Sequence, residues 1–238
     1  MLTQVSDKPD RAAMADAGAF IDLTHPLADS AVQLYPGDPP YTCRPRATVV
    51  RDGYSIHDIT LSSHTGTHID APSHFIADGK TIDQISLSTL TGPAVVIDLR
   101  HKQLTERQII EWGDIQEYAP QMRAGVILLL YTGWSQYWGT PKYYDHPYLS
   151  REAATRILES GVRVLGVDML NPDETPYNGV DNTHGFGVHQ EILGAGGVIA
   201  ENLTNLQALG EGPNMIAFVP LNLVGSDGSP IRALAWNA

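Results

Sequence analysis

Cysteine is nearly absent: Cys43 is the single one in 238 residues, so no intrachain disulfide can form. That suits a reducing compartment, and a lone cysteine is more readily a packed or exposed thiol than a nucleophile. Basic residues are scarce too, 15 Lys and Arg against 27 Asp and Glu, for a formal net charge of -12. A nucleic-acid footprint needs clustered Lys and Arg, so no nucleic-acid partner is expected. No apolar run approaches the roughly 20 residues of a membrane-spanning helix, so no membrane partner is expected. Gly125 to Trp134, "GVILLLYTGW", has the length of a buried strand. The opening residues "MLTQVSDKPDRAAMADAGAF" lack the basic patch and apolar core of a secretory signal, and a cytoplasmic location is expected. There is no Gly-x-Ser-x-Gly elbow and no complete dinucleotide fingerprint after a strand, which leaves serine-hydrolase chemistry and a Rossmann cofactor without motif support.

What is present is a globular composition, 42% hydrophobic with four Trp and ten Tyr. Residues 1–17 are polar and Ala-rich and are expected to form a flexible arm, with 18–238 as a single domain. The runs "PAVVIDL", "GVILLLYTGW", "VRVLGVDM" and "MIAFVPLNLV" predict strands buried on both faces. "LSREAATRILESG" predicts a helix, with Ser150 as N-cap, Ala154, Ile157 and Leu158 on one face and Gly161 beyond its end. "TERQIIEWGDIQEY" and "VHQEILGAG" predict two more helices. Strands alternating with helices indicate an α/β layered domain around a central sheet. "YSIHDITLSSHTGTHI" predicts a half-buried strand.

That strand leads into "SSHTGTHIDAPSHF", which holds His64, His68, Asp70 and His74 within eleven residues. A helix would place His64 and His68 on one face, yet Thr-Gly-Thr and Pro72 are poor helix material. On an extended chain of period two, His64, Gly66, His68 and Asp70 share a face. His68 and Asp70 are then about 6.5 Å apart, while His64 comes near them only if the chain bends, as Gly66 permits. Gly66 would also leave room on that face for an ion or substrate. Imidazole with carboxylate is compatible with zinc, manganese or iron(II).

"HTGTHIDAPSH" resembles the His-x-Gly-Thr-His-x-Asp-x-Pro-x-His signature of the metal-dependent cyclase family, which includes bacterial kynurenine formamidases, isatin hydrolases and related lactone or imide hydrolases. "VHQEILGAGGVIAENL", with His189 and Glu201, resembles the family's second metal-ligand pair, and "GPAVVIDL" and "GSDGSPIRALA" resemble further family segments. The resemblance implies an α/β domain with a central mixed sheet of the swivelling β/β/α type. It implies His64, His68 and Asp70 as ligands of one divalent metal, and Asp70, His189 and Glu201 as able to hold a second. Zn2+ or Mn2+, one or two per subunit, is the implied cofactor, and a homodimer or higher homo-oligomer the implied assembly. By itself, Glu201 after an apolar run reads as a salt-bridged or metal-bound carboxylate.

His74 resembles the family's catalytic acid/base, and imidazole as a side chain, with a reference pKa near 6.5, suits taking a proton from attacking water and returning it to a leaving group. A divalent ion would lower the pKa of water from 15.7 to about 7 and polarise a carbonyl. Tyr35, in "YPGDPP", stands where the formamidases tend to carry an aromatic that packs on substrate, often Trp. His184 either faces the cavity or is an exposed loop histidine. The reading is a metal-dependent hydrolase of the C–N bond of a small aromatic amide, with N-formylkynurenine first; a cyclic amide such as isatin, or a lactone, is the alternative, and a non-catalytic metal-binding domain the remote one.

Overall fold

The computed structural model describes residues 20–28, 32–210 and 212–237. The expected arm at 1–17 lies outside the described residues. In chain order the strands are β1 (Ile21–Asp22), β2 (Thr42–Ala47), β3 (Ile56–Thr60), β4 (His68–Asp70), β5 (Thr91–Asp98), β6 (Ile109–Ile110), β7 (Ile127–Tyr131), β8 (Tyr148–Leu149), β9 (Val164–Val167), β10 (Val198–Glu201), β11 (Asn214–Pro220) and β12 (Gly228–Asn237). The α-helices are α1 (Val49–Asp52), α2 (Trp112–Ile115), α3 (Arg151–Glu159) and α4 (Gly187–Gly194).

A mixed sheet runs β1-β12-β11-β5-β7-β9-β10-β4. β5, β7, β9 and β10 are parallel, and the remaining pairings are antiparallel. The early part of β12 also pairs with β4, which closes the sheet into a barrel-like ring. Period-two alternation splits its side chains between two cores: Ile127 and Leu129 of β7 point inward with Ile69, Ala200 and Phe218, while Leu128 and Leu130 point outward under α3 and α4. The mixed α/β architecture expected from the sequence is the one observed.

α3 begins where Ser150 Oγ accepts from Ala153 N at 3.2 Å and ends before Gly161, whose φ is +93°. The helix expected over "VHQEILGAG" is α4. Three expectations need correction. Over 105–118 the chain forms β6, the single turn of α2 and a 3₁₀ stretch, because Ile109 and Ile110 pair with β8 and Gly113 and Pro120 interrupt helix propagation. The strand expected over 54–69 is broken, since Ser62 and Thr65 turn the chain through Ser62 N to Thr65 Oγ1 at 2.8 Å and Thr65 N to Ser62 O at 3.3 Å. Its first part, β3, pairs with β2 in a hairpin and is exposed throughout rather than half-buried. β5 and β11 alternate buried and more exposed positions instead of burying both faces. Among the described residues no helix is long and apolar enough to cross a membrane.

Candidate metal centre

The closure of the sheet builds the site. In β4, His68 and Asp70 share the outward face while Ile69 between them enters the inner core. Antiparallel pairing sets Glu201 of β10 opposite His68, and Gly228 of β12 opposite Asp70. α4 then lays His189 over the same spot. Asp173 fixes that helix start: its carboxylate accepts from Val188 N at 2.8 Å, from His189 N at 3.0 Å and from His189 Nδ1 at 2.6 Å.

A carboxylate and a carbonyl can only accept, so a ring nitrogen hydrogen-bonded to one carries the proton. His189 Nδ1 donates to Asp173 and His68 Nδ1 donates to Gly66 O at 2.8 Å, which leaves both Nε2 atoms for the centre. His68 Nε2 lies 3.3 Å from Asp70 Oδ1 and 3.2 Å from Glu201 Oε2. His189 Nε2 lies 3.2 Å from Glu201 Oε1 and 3.5 Å from Asp70 Oδ2. His64 Nδ1 reaches Asp70 Oδ1 at 2.8 Å. All five residues expected as ligands therefore come together. The ligand atoms group as His68, Asp70 and Glu201, fully buried, and as His64, Asp70 and His74, with Asp70 common to both.

The set fits a divalent cation. Asp70 Oδ2 and Glu201 Oε1 are buried and make no hydrogen bond among the described residues, a costly arrangement for carboxylates unless a cation compensates them. Imidazole nitrogens with carboxylate oxygens are donors for zinc or manganese. Burial works against the Asp70 anion, yet the neighbouring His189, His64 and His68 outweigh it and hold the carboxyl well below its usual range. Burial likewise disfavours the His64 cation, but Asp227 and Asp70 push its pKa up to about 9.

Beside the centre is a cavity of about 170 Å³, lined by His74, Tyr35, Phe75, Phe186, Gln33 and Asp38 among others. An engineered cavity of about 150 Å³ holds benzene, so this space takes an aromatic ring. Phe75 stacks on His189 at 4.6 Å between centroids and meets Phe186 at 5.3 Å; Tyr35 stands 6.5 Å from Phe186. Tyr35 and Asp38 are brought side by side by a turn in which Asp38 N donates to Tyr35 O at 3.0 Å and Gly37 takes φ +104°. His184 is exposed near Tyr148 and is not among the cavity residues; Phe186, two positions on, takes that place. Cys43 lies in the β2–β3 hairpin, apart from the cavity.

Sequence reasoning missed Asp173, Asp38, Phe75, Phe186 and Asp227. Asp227 Oδ2 accepts from His64 Nε2 at 2.9 Å and from His74 Nδ1 at 3.2 Å. It belongs to "GSDGSPIRALA", a segment noticed only for its resemblance. Gly66 turns as expected, with φ +67°, but a side chain there would strike Leu27, so the space beside it is filled by protein rather than left for an ion.

Comparison with known proteins places these observations in context. A family model named Cyclase and described as "Putative cyclase" matches residues 21–174. The chain is 33% identical over 219 residues to a kynurenine formamidase of Geobacillus thermodenitrificans (strain NG80-2), covering 90% of this chain and 95% of that protein. It superposes on isatin hydrolase A from Labrenzia aggregata bound to benzyl benzoate with a TM-score of 0.81 at 26% identity, covering 93% and 94% of the two chains. A protein from Bacillus stearothermophilus described as a predicted metal-dependent hydrolase is similar at TM-score 0.75 and 26% identity, over 93% and 100%.

Proposed function

This chain belongs to the Cyclase family, and from that premise we propose that it is a metal-dependent hydrolase cleaving the C–N bond of a small aromatic amide, with N-formylkynurenine as first substrate. The observation that carries the reading is the meeting of His68, Asp70, His189 and Glu201, with two buried carboxylate oxygens lacking hydrogen-bond partners, beside an aromatic cavity that His74 lines. The kynurenine formamidase relatives support the formamide, and the isatin hydrolase neighbour supports a cyclic amide as the second reading.

His64, His68, Asp70, His189 and Glu201 would hold one or two divalent ions, Zn2+ or Mn2+. Bound there, the metal supplies water of lowered pKa and a polarised carbonyl. Tyr35, Phe75 and Phe186 hold the substrate ring and keep bulk water from it. His74 takes a proton from the attacking water and delivers it to the departing nitrogen as the C–N bond breaks, so the hydroxyl ends on carbon and the proton on the amine. An amine leaves poorly without that proton. For a formamide the products are formate, a proton and the free aryl amine.

The same reading takes residues 18–238 as one domain, in the cytoplasm, working as a homodimer. Support for the dimer is the β2–β3 hairpin, which leaves Val50, Tyr54, Ile56 and Ile59 exposed and makes few contacts with the rest of the chain. The test of function is a panel of N-formylkynurenine, isatin and a dienelactone with purified metal-loaded protein. Rapid formamide hydrolysis is expected. Inactivity on formamides with brisk isatin opening would replace the first reading with the second.

A further inference from the structure

We infer that Asp227 is a positioning residue that fixes the tautomer and orientation of His74, its Oδ2 accepting the Nδ1 proton so that Nε2 is left to take and return the catalytic proton. The inference rests on the reading of His74 as acid/base given above. A histidine that accepts a proton at the wrong nitrogen is useless however close it lies, and a carboxylate on the other nitrogen is the usual way of choosing between them.

The carboxylate is built into place. Asp227 sits in the turn entering β12, where its carbonyl accepts from Ala71 N at 2.8 Å, Ser226 O accepts from Ile82 N at 2.8 Å, and Gly225 N donates to Asp83 Oδ1 at 3.0 Å. The next residue, Gly228, pairs with Asp70, and a Cβ there would come within 2.7 Å of Ile69 O and 3.0 Å of His64 Cε1. Only a glycine lets this turn approach the His64 ring so closely. His74 closes the 3₁₀ turn Pro72–His74 just after β4, so donor and acceptor hang from the two strands whose pairing closes the sheet. Asp227 Oδ2 is shared, since His64 Nε2 donates to it at 2.9 Å while His74 Nδ1 does so at 3.2 Å. The rings of His64 and His74 are 4.0 Å apart between centroids, tilted by 34°. One carboxylate oxygen thus holds a residue of the candidate metal cluster and the candidate acid/base in fixed relation.

A rival role for Asp227 is support of His64 alone, and the two make different predictions. Ring ¹⁵N spectra of the zinc-loaded full chain, with His74 assigned through His74→Gln, are expected to show His74 protonated at Nδ1, and that preference is expected to be lost in Asp227→Asn. Wild-type protein with His74 protonated at Nε2, or a tautomer unchanged by the substitution, overturns the inference, and neither result depends on turnover of any substrate. In steady state, Asp227→Asn is expected to lower kcat roughly 10- to 100-fold with KM and bound metal unchanged, and Asp227→Glu to recover part of the loss. A loss fully restored by excess metal assigns Asp227 to His64 and overturns the inference. Should wild type hydrolyse no member of the amide panel, the proposed function fails while the ¹⁵N result still decides the tautomer.

Discussion

The surroundings of His74 and Asp70 differ, and they suit the two side chains to different work. The Asp70 side chain is 1% exposed and surrounded by three imidazoles, whereas that of His74 is 28% exposed at the cavity. A group that moves protons must reach substrate, and a group that holds a cation gains from exclusion of water. Replacing His74 with Ala should therefore cut kcat by about 10²- to 10⁴-fold while metal content, measured by elemental analysis, stays at the wild-type value. Wild-type turnover with metal bound would remove His74 from the mechanism. The histidines also set a pH dependence. Asp227 and Asp70 raise the His64 pKa to about 9, above its ordinary 6.5, so below that pH the metal-free ring carries a proton that a metal must displace. Metal affinity should then weaken as pH falls below about 9, with proton release visible by calorimetry in buffers of different ionisation enthalpy. Binding that releases no proton at pH 7 would contradict the account.

At the scale of elements, the site depends on one short strand reached through one sharp turn. Gly66 bends the chain with φ +67°, and its carbonyl accepts both His68 Nδ1 at 2.8 Å and Asn202 Nδ2 at 3.0 Å, tying the turn before β4 to the residue after β10. Gly66→Ala should lose about 1–3 kcal/mol in urea unfolding from the left-handed backbone, with further loss from contact with Leu27. Stability within error of wild type would mean the turn is not constrained as described. The His68–Asp70 alternation was legible in the sequence because period two is a local property of an extended chain. His189 was legible only through resemblance, Glu201 partly from its place after an apolar run, and Asp227 not at all, because its partner His64 lies 163 positions away and the pairing of β4 with β12 brings them together. The helix expected over 105–118 failed for a related reason. Ile109 and Ile110 are committed to β8, a partner that the local sequence does not reveal.

At the scale of the whole molecule, the β2–β3 hairpin is an apolar surface that the closed sheet leaves exposed, as are Val219 near the end of β11 and Leu221 and Val224 after it. The hairpin's Ile and Tyr content read as a half-buried strand, yet Val50 is fully exposed and Ile56 and Ile59 are about half exposed. A second copy covering this ribbon would reconcile composition with burial. The protein should sediment as a dimer, and Ile56→Asp with Ile59→Asp should shift it toward monomer; wild type that is monomeric at every concentration would refute the assembly. The hairpin also joins the Tyr35–Asp38 turn to the turn that carries His64, and Tyr35, Asp38 and His64 all line the cavity, so the exposed ribbon and the cavity share a frame. The claim on which the rest depends is that His64, His68, Asp70, His189 and Glu201 hold a metal required for amide hydrolysis. Stripping the protein with a chelator and titrating zinc or manganese back while following aromatic amide hydrolysis tests it most directly. The account predicts that activity disappears on stripping and returns to a plateau at one or two equivalents per chain; a rate unchanged by stripping and reloading would contradict it.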